Sequence, residues 1–379
     1  MKKILGIFGN VANAGQERAN CDVYKLLAKQ PDKELLVLVN DRGFDWNLRP
    51  FFERNSIRFK KIRFPWGIYR DSNLRYIFQW AYDIIANNVM FIYNYLKFSP
   101  DYIHIGNEYM FKTLALPLSL CRAKIIFRLG DRPYINGFYN RWLWKIISSR
   151  VDTFVCDTNF IKGLLKKAGR DNKNDIVLYH PAPSRAKDEG ESIQGGDSLI
   201  FGYVGQIRAS KGVDIIVKAA LEICETHNDV EFWFAGNISD NIFYTSCIAT
   251  MLNQTPEDIR KRICFKGTIE NIDSFYQAVD VHLAPSVAEE AYGLVMVEAK
   301  KNHRPTIIFR SGGMPELISH KVDGYICTSK DTEGLLQGMR YYIENPTEIK
   351  AQGESAYKSL ERLGINNENF AKQWLAIYQ

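Results

Sequence analysis

The chain has 379 residues, 46% hydrophobic and 24% charged, with a formal net charge of +6 and seven cysteines. This composition excludes a largely disordered chain, and the length exceeds what one core ordinarily organises, so two domains of roughly 100–200 residues each are expected. The cysteines form no C-x-x-C pair and are odd in number, which fits a reducing cytosol better than a disulfide scaffold.

The charge is unevenly spread. Residues 1–190 carry 31 Lys/Arg against 18 Asp/Glu, a net +13, and the remainder a net −7. Two halves with different partners follow from that split, the basic one suited to an anionic surface or acceptor.

In chain order, "MKKILGIFGN" opens with an apolar run that stops at Asn10 without a small-residue cleavage site. It reads as a buried strand rather than a secretion signal. "ELLVLVN", "YIHIG", "KIIFRLG", "TFVCDT" and "DIVLYHP" continue as strands, with helical patterns such as "GQERANCDVYKLLAKQ" and "MFKTLALPLSLCRA" between them. Tyr76 to Leu96 is the stretch nearest to a membrane span. Asp83 and Asn87–Asn88 interrupt it, so a buried or amphipathic helix is expected there. Two segments, "RNSIRFKKIRFPWGIYR" and "NRWLWKIISSR", interleave cations with Trp and Phe. Such segments can dock on anionic bilayers, and half-buried strands and helices produce the same pattern.

Pro181 to Ser198 is polar and rich in Pro, Gly and Ser, a linker signature. The alternation then resumes. "LIFGYVGQI" reads as a strand and "KGVDIIVKAALEIC" as a helix with Val213, Ile216, Val217, Ala220 and Leu221 on one face. "VEFWFAGN", "ICFKGTI", "DVHLAPS" and "PTIIFR" follow as strands. Continuous apolar strands separated by helices predict parallel sheets covered on both faces. The expected architecture is α/β, with two doubly wound Rossmann-like domains facing across a cleft. The expected boundaries are 1–185 for the first domain, 186–198 for the linker and 199–360 for the second domain. A final helix over 361–379 is expected to pack back on the first domain.

Three stretches of the second domain fall at carboxyl ends of predicted strands, where such sheets bind ligands. In "EEAYGLVMVEA", Glu290 lies in a strand-to-helix turn, and Gly293 and Leu294 open the helix. Their unpaired N–H groups can bind a phosphate. Glu298 lies about one turn further on, where a carboxylate could accept from two vicinal ribose hydroxyls. A buried helix with two solvated glutamates has the same spacing. In "GYVGQIRASKGVD", Gly205 ends a strand, Arg208 and Lys211 occupy the turn and Gly212 starts the next helix. Two cations there can neutralise a pyrophosphate, though an ordinary surface turn carries such charges too. "RSGGMPEL" adds Gly312–Gly313 after a further strand. His104, His180 and His282 sit in apolar surroundings and read as satisfied core histidines rather than catalysts.

Taken together, "GQIRASKG", "FAGN", "FKGTI", "LAPSVAEEAYGLVMVEA" and "GGMPELISHKVDGYI", in that order, resemble the retaining GT-B glycosyltransferases of the large family 4 group. The likeness is close over roughly residues 200–330. In the first half it lies mainly in layout: a glycine turn near the start, "PDYIHIGN" and "FRLGD".

The resemblance implies transfer of a sugar from a nucleotide-diphosphate donor to a glycan, lipid-linked or other hydroxyl acceptor, with retained configuration. Glu290 is then the carboxylate beside the donor sugar, and Glu298 the ribose ligand. Gly293, Leu294 and Val295 form the backbone segment facing sugar and diphosphate. Lys211 is the cation on the leaving diphosphate. Such enzymes often carry an arginine right after the first glycine; Gln206 stands there, and Arg208 is the substitute. Gly267 and Thr268 would meet the base. Many relatives have a His-Asp or similar pair after the "KIIFRLGD" strand. Gly130–Asp131 stands there, leaving Asp131 as the polar group, or as a helix N-cap. Asn13, Gly15 and Gln16 resemble the loop that reaches the donor's diphosphate. No cofactor or metal is implied, and no Asp-x-Asp motif is evident. The implied setting is cytoplasmic, possible on the inner membrane face, in bacterial surface-polysaccharide or glycolipid synthesis. A sugar-nucleotide epimerase of the same fold and a noncatalytic nucleotide-sugar scaffold are the competing readings. Nucleic-acid binding has only the basic half behind it and no motif.

Overall fold

The computed structural model describes residues 1–9, 15–42, 44, 48–65, 73–182, 198–239 and 241–379. Asn13, residues 186–197 of the expected linker and residues 66–70 of the first basic-aromatic segment lie outside the described residues. The chain forms two compact units, Met1–Leu178 with Glu368–Gln379, and Tyr179–Asn367.

The first unit is built on seven parallel strands: β1 (Lys2–Phe8), β2 (Lys33–Asn40), β3 (Phe59–Ile62), β4 (Tyr102–Ile105), β5 (Lys124–Leu129), β6 (Thr153–Cys156) and β7 (Ile176–Val177). Their order is β3-β2-β1-β4-β5-β6-β7. The opening apolar run is thus an interior strand, in register with β2 from Lys2↔Lys33 to Phe8↔Val39 and with β4 from Ile4↔Tyr102 to Ile7↔Ile105. Burial on both faces explains why β1 reads as a continuous apolar run rather than an alternating one. The helix Gly15–Ala28 lays Val23, Tyr24 and Leu27 on this sheet. The last helix, Asn367–Ile377, adds Phe370 and Trp374 to the same core, and Tyr378 follows them.

"MFKTLALPLSLCRA" is two short helices, Glu108–Thr113 and Ala115–Leu120, rather than one. Pro117 is the reason. Inside a continuous helix its ring would clash with a carbonyl one turn back, whereas a restart at Ala115 puts it in a first turn. Part of the basic-aromatic "RNSIRFKKIRFP" is the strand β3, and "NRWLWKIISSR" lies in the helix Gly137–Arg150 with Leu143, Trp144 and Ile147 buried.

The second unit has six parallel strands: β8 (Leu199–Val204), β9 (Val230–Ala235), β10 (Ile263–Gly267), β11 (Val281–Ala284), β12 (Thr306–Ile308) and β13 (Gly324–Ile326). Their order is β10-β9-β8-β11-β12-β13. Both sheets therefore run outward in one direction and then reverse beside their first strand, at β1/β4 and at β8/β11. Such a reversal opens a crevice beyond the carboxyl ends of the two strands, because their connections leave on opposite sides. The helix Val213–Thr226 buries Val213, Ile216, Val217 and Ala220 as expected, while Leu221 is only partly covered.

Candidate functional site

At the β8/β11 reversal two loops meet. The loop after β8 runs through Gly205, Gln206 and Arg208 into a single tight turn, Ala209–Lys211, and ends at Gly212. Gly212 has φ +74°, and a Cβ there would lie 2.2 Å from the Pro285 carbonyl oxygen. Only glycine lets this turn press against the loop after β11. The contact is sewn by backbone bonds, Val287 N–H and Ala288 N–H donating to Ser210 O at 3.1 and 3.0 Å.

The same arrangement aims two charges at each other. Lys211 Nζ donates to Glu290 Oε1, and Ser286 Oγ donates to that oxygen at 2.7 Å. The Lys211 and Glu290 side chains keep 32% and 21% exposure, so both remain open to a ligand. Tyr203, below the loop, donates from its hydroxyl to Gln206 O at 2.8 Å. Burial raises its pKa, and the Glu290 charge adds to that. Arg208 is exposed on the same loop.

The Gly-Gly turn after β12 braces Glu290 from the other side. Gly313 N–H donates to Glu290 O at 2.8 Å, and a Cβ on Gly312 would sit 2.1 Å from that oxygen. Ser311 Oγ donates to Ala288 O at 2.7 Å and accepts from Lys330 Nζ at 3.4 Å. Lys330 thus adds a second ammonium near the Glu290 loop.

Gly293 precedes the helix Leu294–Lys301, with no side chain capping its first N–H groups. Those groups, on the partly exposed Leu294 and Val295, are donors of the kind that bind phosphate. Glu298 sits in the same helix, 7% exposed, and the Tyr276 hydroxyl reaches its Oε2 at 3.3 Å and Val295 O at 3.1 Å. It is a buried carboxylate rather than a solvated surface one. Gly267 ends β10 and accepts from Gly236 N–H at 2.8 Å, while Thr268 beyond it is exposed.

The other two expected residues belong to the first unit. Gly15 opens the helix Gly15–Ala28. Asp131 is exposed after β5, its Oδ1 accepting from Arg132 N–H at 2.8 Å. It does not cap a helix, since the next one, Gly137–Arg150, follows Asn136. A cavity of about 340 Å³ lies here, beyond β4 and β5, lined by Glu108, Lys112, Arg128, Asp131 and Tyr134 among others. Glu108 is ion-paired with Lys112 at 2.6 Å and accepts from Tyr134 N–H at 2.9 Å.

The structure thus places Gly205, Arg208, Lys211, Glu290, Gly293, Leu294, Val295 and Glu298 on the loops and helix around one strand reversal. Sequence reasoning missed Ser286, Ser311 and Lys330. Ser286 and Ser311 lay in quoted stretches, "LAPS" and "RSGG", but serines in loops carry no signal until a partner is known. His104 and His282 are fully buried. Burial lowers each pKa to about 3, with Arg128 adding to the effect at His104.

Comparison with known proteins agrees with this geometry. Residues 184–359 match the family model described as glycosyl transferases group 1. An uncharacterized glycosyltransferase of Haemophilus influenzae is 23% identical over 100% of both chains. The lipopolysaccharide core biosynthesis mannosyltransferase LpcC of Rhizobium leguminosarum bv. viciae is 25% identical over 58% of this chain and 61% of its own, so the match spans less than two thirds of that relative. Among solved structures, Anabaena Alr3699/HepE in complex with UDP superposes with a TM-score of 0.79 at 16% identity, covering 100% of this chain and 99% of that one. At that identity the likeness speaks for the fold, two Rossmann-like domains of the GT-B class. The stretch 184–359 thus carries this chain's likeness to the glycosyl transferases group 1.

Proposed function

We propose that the chain is a retaining glycosyltransferase that takes a sugar from a nucleoside-diphosphate donor held by the second unit. The observation that carries this reading is the Lys211–Glu290 pair at the β8/β11 reversal, clamped by Ser286 and the Gly312–Gly313 turn. A fixed ammonium and a row of helix N–H groups suit a diphosphate whose charge grows as it departs. Lys211 and Arg208 neutralise that charge, so the proposal needs no metal or other cofactor. Gly293, Leu294 and Val295 offer backbone to the diphosphate and sugar. Glu298 takes the ribose hydroxyls, Gly205 lets the donor approach the backbone, and Gly267 with Thr268 meets the base.

In the transfer itself the bond from the sugar's anomeric carbon to the diphosphate oxygen breaks. The acceptor oxygen bonds to that carbon from the same face, and its proton passes to the departing phosphate. Glu290 stands beside the sugar. Gly15 and Asp131 of the first unit serve the donor phosphate and the acceptor hydroxyl, and that unit binds the acceptor. The acceptor class is a glycan or lipid-linked saccharide of a bacterial surface polymer, met in the cytoplasm at the inner membrane face. HepE was crystallised with UDP, which makes UDP the first nucleotide to try. An epimerase would need a histidine at the sugar ring, yet neither 205–212 nor 285–293 contains one.

The test is a calorimetric titration of the full chain with UDP, GDP and ADP. Saturable binding of one nucleotide, weakened in Glu298→Gln, is the expected result. No heat with any of the three would remove the site and leave a noncatalytic scaffold.

A further inference from the structure

The 25-residue helix Leu74–Phe98 is inverted relative to an ordinary amphipathic one. Its inward positions include Asp83, Asn87 and Asn94, all buried. Asp83 is ion-paired with Arg42 at 2.9 Å and Arg63 at 3.6 Å. Asn87 Nδ2 donates to Arg63 O at 2.5 Å, and Lys60 Nζ donates to Asn94 Oδ1 at 3.1 Å. The buried polar side chains of the helix are thus engaged inside the unit. The outward row is Phe78, Tyr82, Ile85, Val89, Ile92 and Leu96, each between 44% and 74% exposed. Steps of four and three residues keep these side chains on one face along nearly the whole helix.

The apolar surface does not stop at this helix. The neighbouring helix Ala115–Leu120 exposes Leu116 and Leu120, and the helix Gly137–Arg150 beyond it exposes Phe138 and Trp142. The three elements are tied together, Arg122 N–H donating to the Tyr95 hydroxyl at 2.9 Å and Arg150 Nη2 to Cys121 O at 2.7 Å. Their charge has one sign. The only acidic residue in the three helices is Asp83, and it points inward. Arg75, Lys97, Arg141 and Lys145 are exposed.

We propose that this face of the first unit docks on an anionic lipid bilayer. Contiguous exposed apolar surface marks an interaction site, and the charge selects the occupant. A second copy of the same face would bring its cations against these. A bilayer with anionic headgroups accepts them, while Phe78, Ile85 and Leu96 enter the headgroup–acyl boundary and Tyr82 and Trp142 sit at headgroup depth. A narrow helix–helix seam would not need the further apolar side chains on the second and third helices. Among the described residues no helix is long and apolar enough to cross a membrane, so the mode is lying on the surface. The proposal is independent of the donor site.

The test is co-sedimentation of the full chain, without nucleotide, with vesicles of equimolar phosphatidylglycerol and phosphatidylcholine, and with phosphatidylcholine alone. Binding to the anionic vesicles at least about tenfold tighter than to the neutral ones is expected, as is a loss of about tenfold or more in Ile85→Glu. Because the row is exposed, Ile85→Glu should melt like the parent. If it does not, Val89→Asn, which adds no charge, must weaken vesicle binding in its place. Failure of the parent chain to bind anionic vesicles overturns the proposal. So does a concentration-dependent dimer in sedimentation velocity that Ile85→Glu dissolves, since a second copy would then cover the face. A chain that binds vesicles but no nucleotide would keep this inference and sink the transferase reading.

Discussion

Lys211 and Glu290 form an ion pair that is still partly solvated. Pairs of that kind contribute about 0–1 kcal/mol to stability, so Lys211→Ala is expected to leave the melting temperature nearly unchanged. Turnover is another matter, since a cation that meets developing charge in a shielded site is worth about 2.7–4 kcal/mol in the transition state. Steady-state kinetics on Lys211→Ala should show kcat down by a hundredfold or more; an unchanged rate would take the leaving-group role away from it. For Glu298, a carboxylate hydrogen-bonded to ribose is worth about 1.5–3 kcal/mol. Glu298→Gln keeps the shape of the side chain and should weaken nucleotide binding by roughly tenfold or more by calorimetry. At this scale the sequence was informative wherever a residue type has few uses. Glycines before helices and paired carboxylates marked Gly205, Gly293, Glu290 and Glu298. Ser286 was silent because its role exists only through Glu290; the Gly312–Gly313 turn was legible, but not what it braces, because the demand for glycine at Gly312 comes from the Glu290 carbonyl twenty-odd residues earlier in the chain.

Among the elements, strands were legible because burial on both faces leaves unbroken apolar runs, as in "KKILGIF" and "VEFWFA". Helices were legible in existence but not in orientation. Periodicity finds the apolar stripe of Leu74–Phe98 and assigns it inward; only the ion pairs of Asp83 with Arg42 and Arg63 reveal that the stripe faces out. The helix Asn367–Ile377 is the reverse case, a terminal segment whose large side chains are core. Trp374 is 1% exposed and stacks with Tyr378, whose hydroxyl donates to His104 Nδ1 at 2.5 Å. Emptying that site in Trp374→Ala should destabilise the first unit by about 3–5 kcal/mol. Chemical denaturation followed by circular dichroism measures this. Because the second unit has its own core clusters, nucleotide affinity in native conditions should survive the substitution. A stability loss below about 1 kcal/mol would mean that the last helix is not part of the first unit's core.

On the scale of the whole molecule, alternating strands and helices announce two doubly wound units, but strand order is a matter of which edges pair and is not written in any one segment. What the two units have in common is a buried neutral imidazole in each, His104 on β4 and His282 on β11. His104 is held by two partners, accepting from the Tyr378 hydroxyl and lying 3.2 Å from Asn20 Oδ1, which the Nε2–H tautomer satisfies together. His282 Nδ1 lies 3.3 Å from Thr306 Oγ1. Burial lowers both pKa values from 6.5 to about 3. His320, lowered by burial and then by Lys321 and Arg310, acts in the same sense. Between those limits the unfolded chain binds protons that the folded chain refuses, so stability must fall as pH drops below about 6.5 and continue to fall toward 3. Each fully buried imidazole contributes up to about 1.4 kcal/mol per pH unit through that window. Ordinary carboxylates titrate near pH 4, so the span from about 6.5 to 5 isolates the histidines. Scanning calorimetry across that span should find melting temperature falling with acid, and His104→Asn with His282→Asn should flatten the slope even though it lowers stability at neutral pH. A slope unchanged in the double variant would mean that both imidazoles accept protons in the folded chain, and that neither unit is as tightly closed around its histidine as the geometry requires.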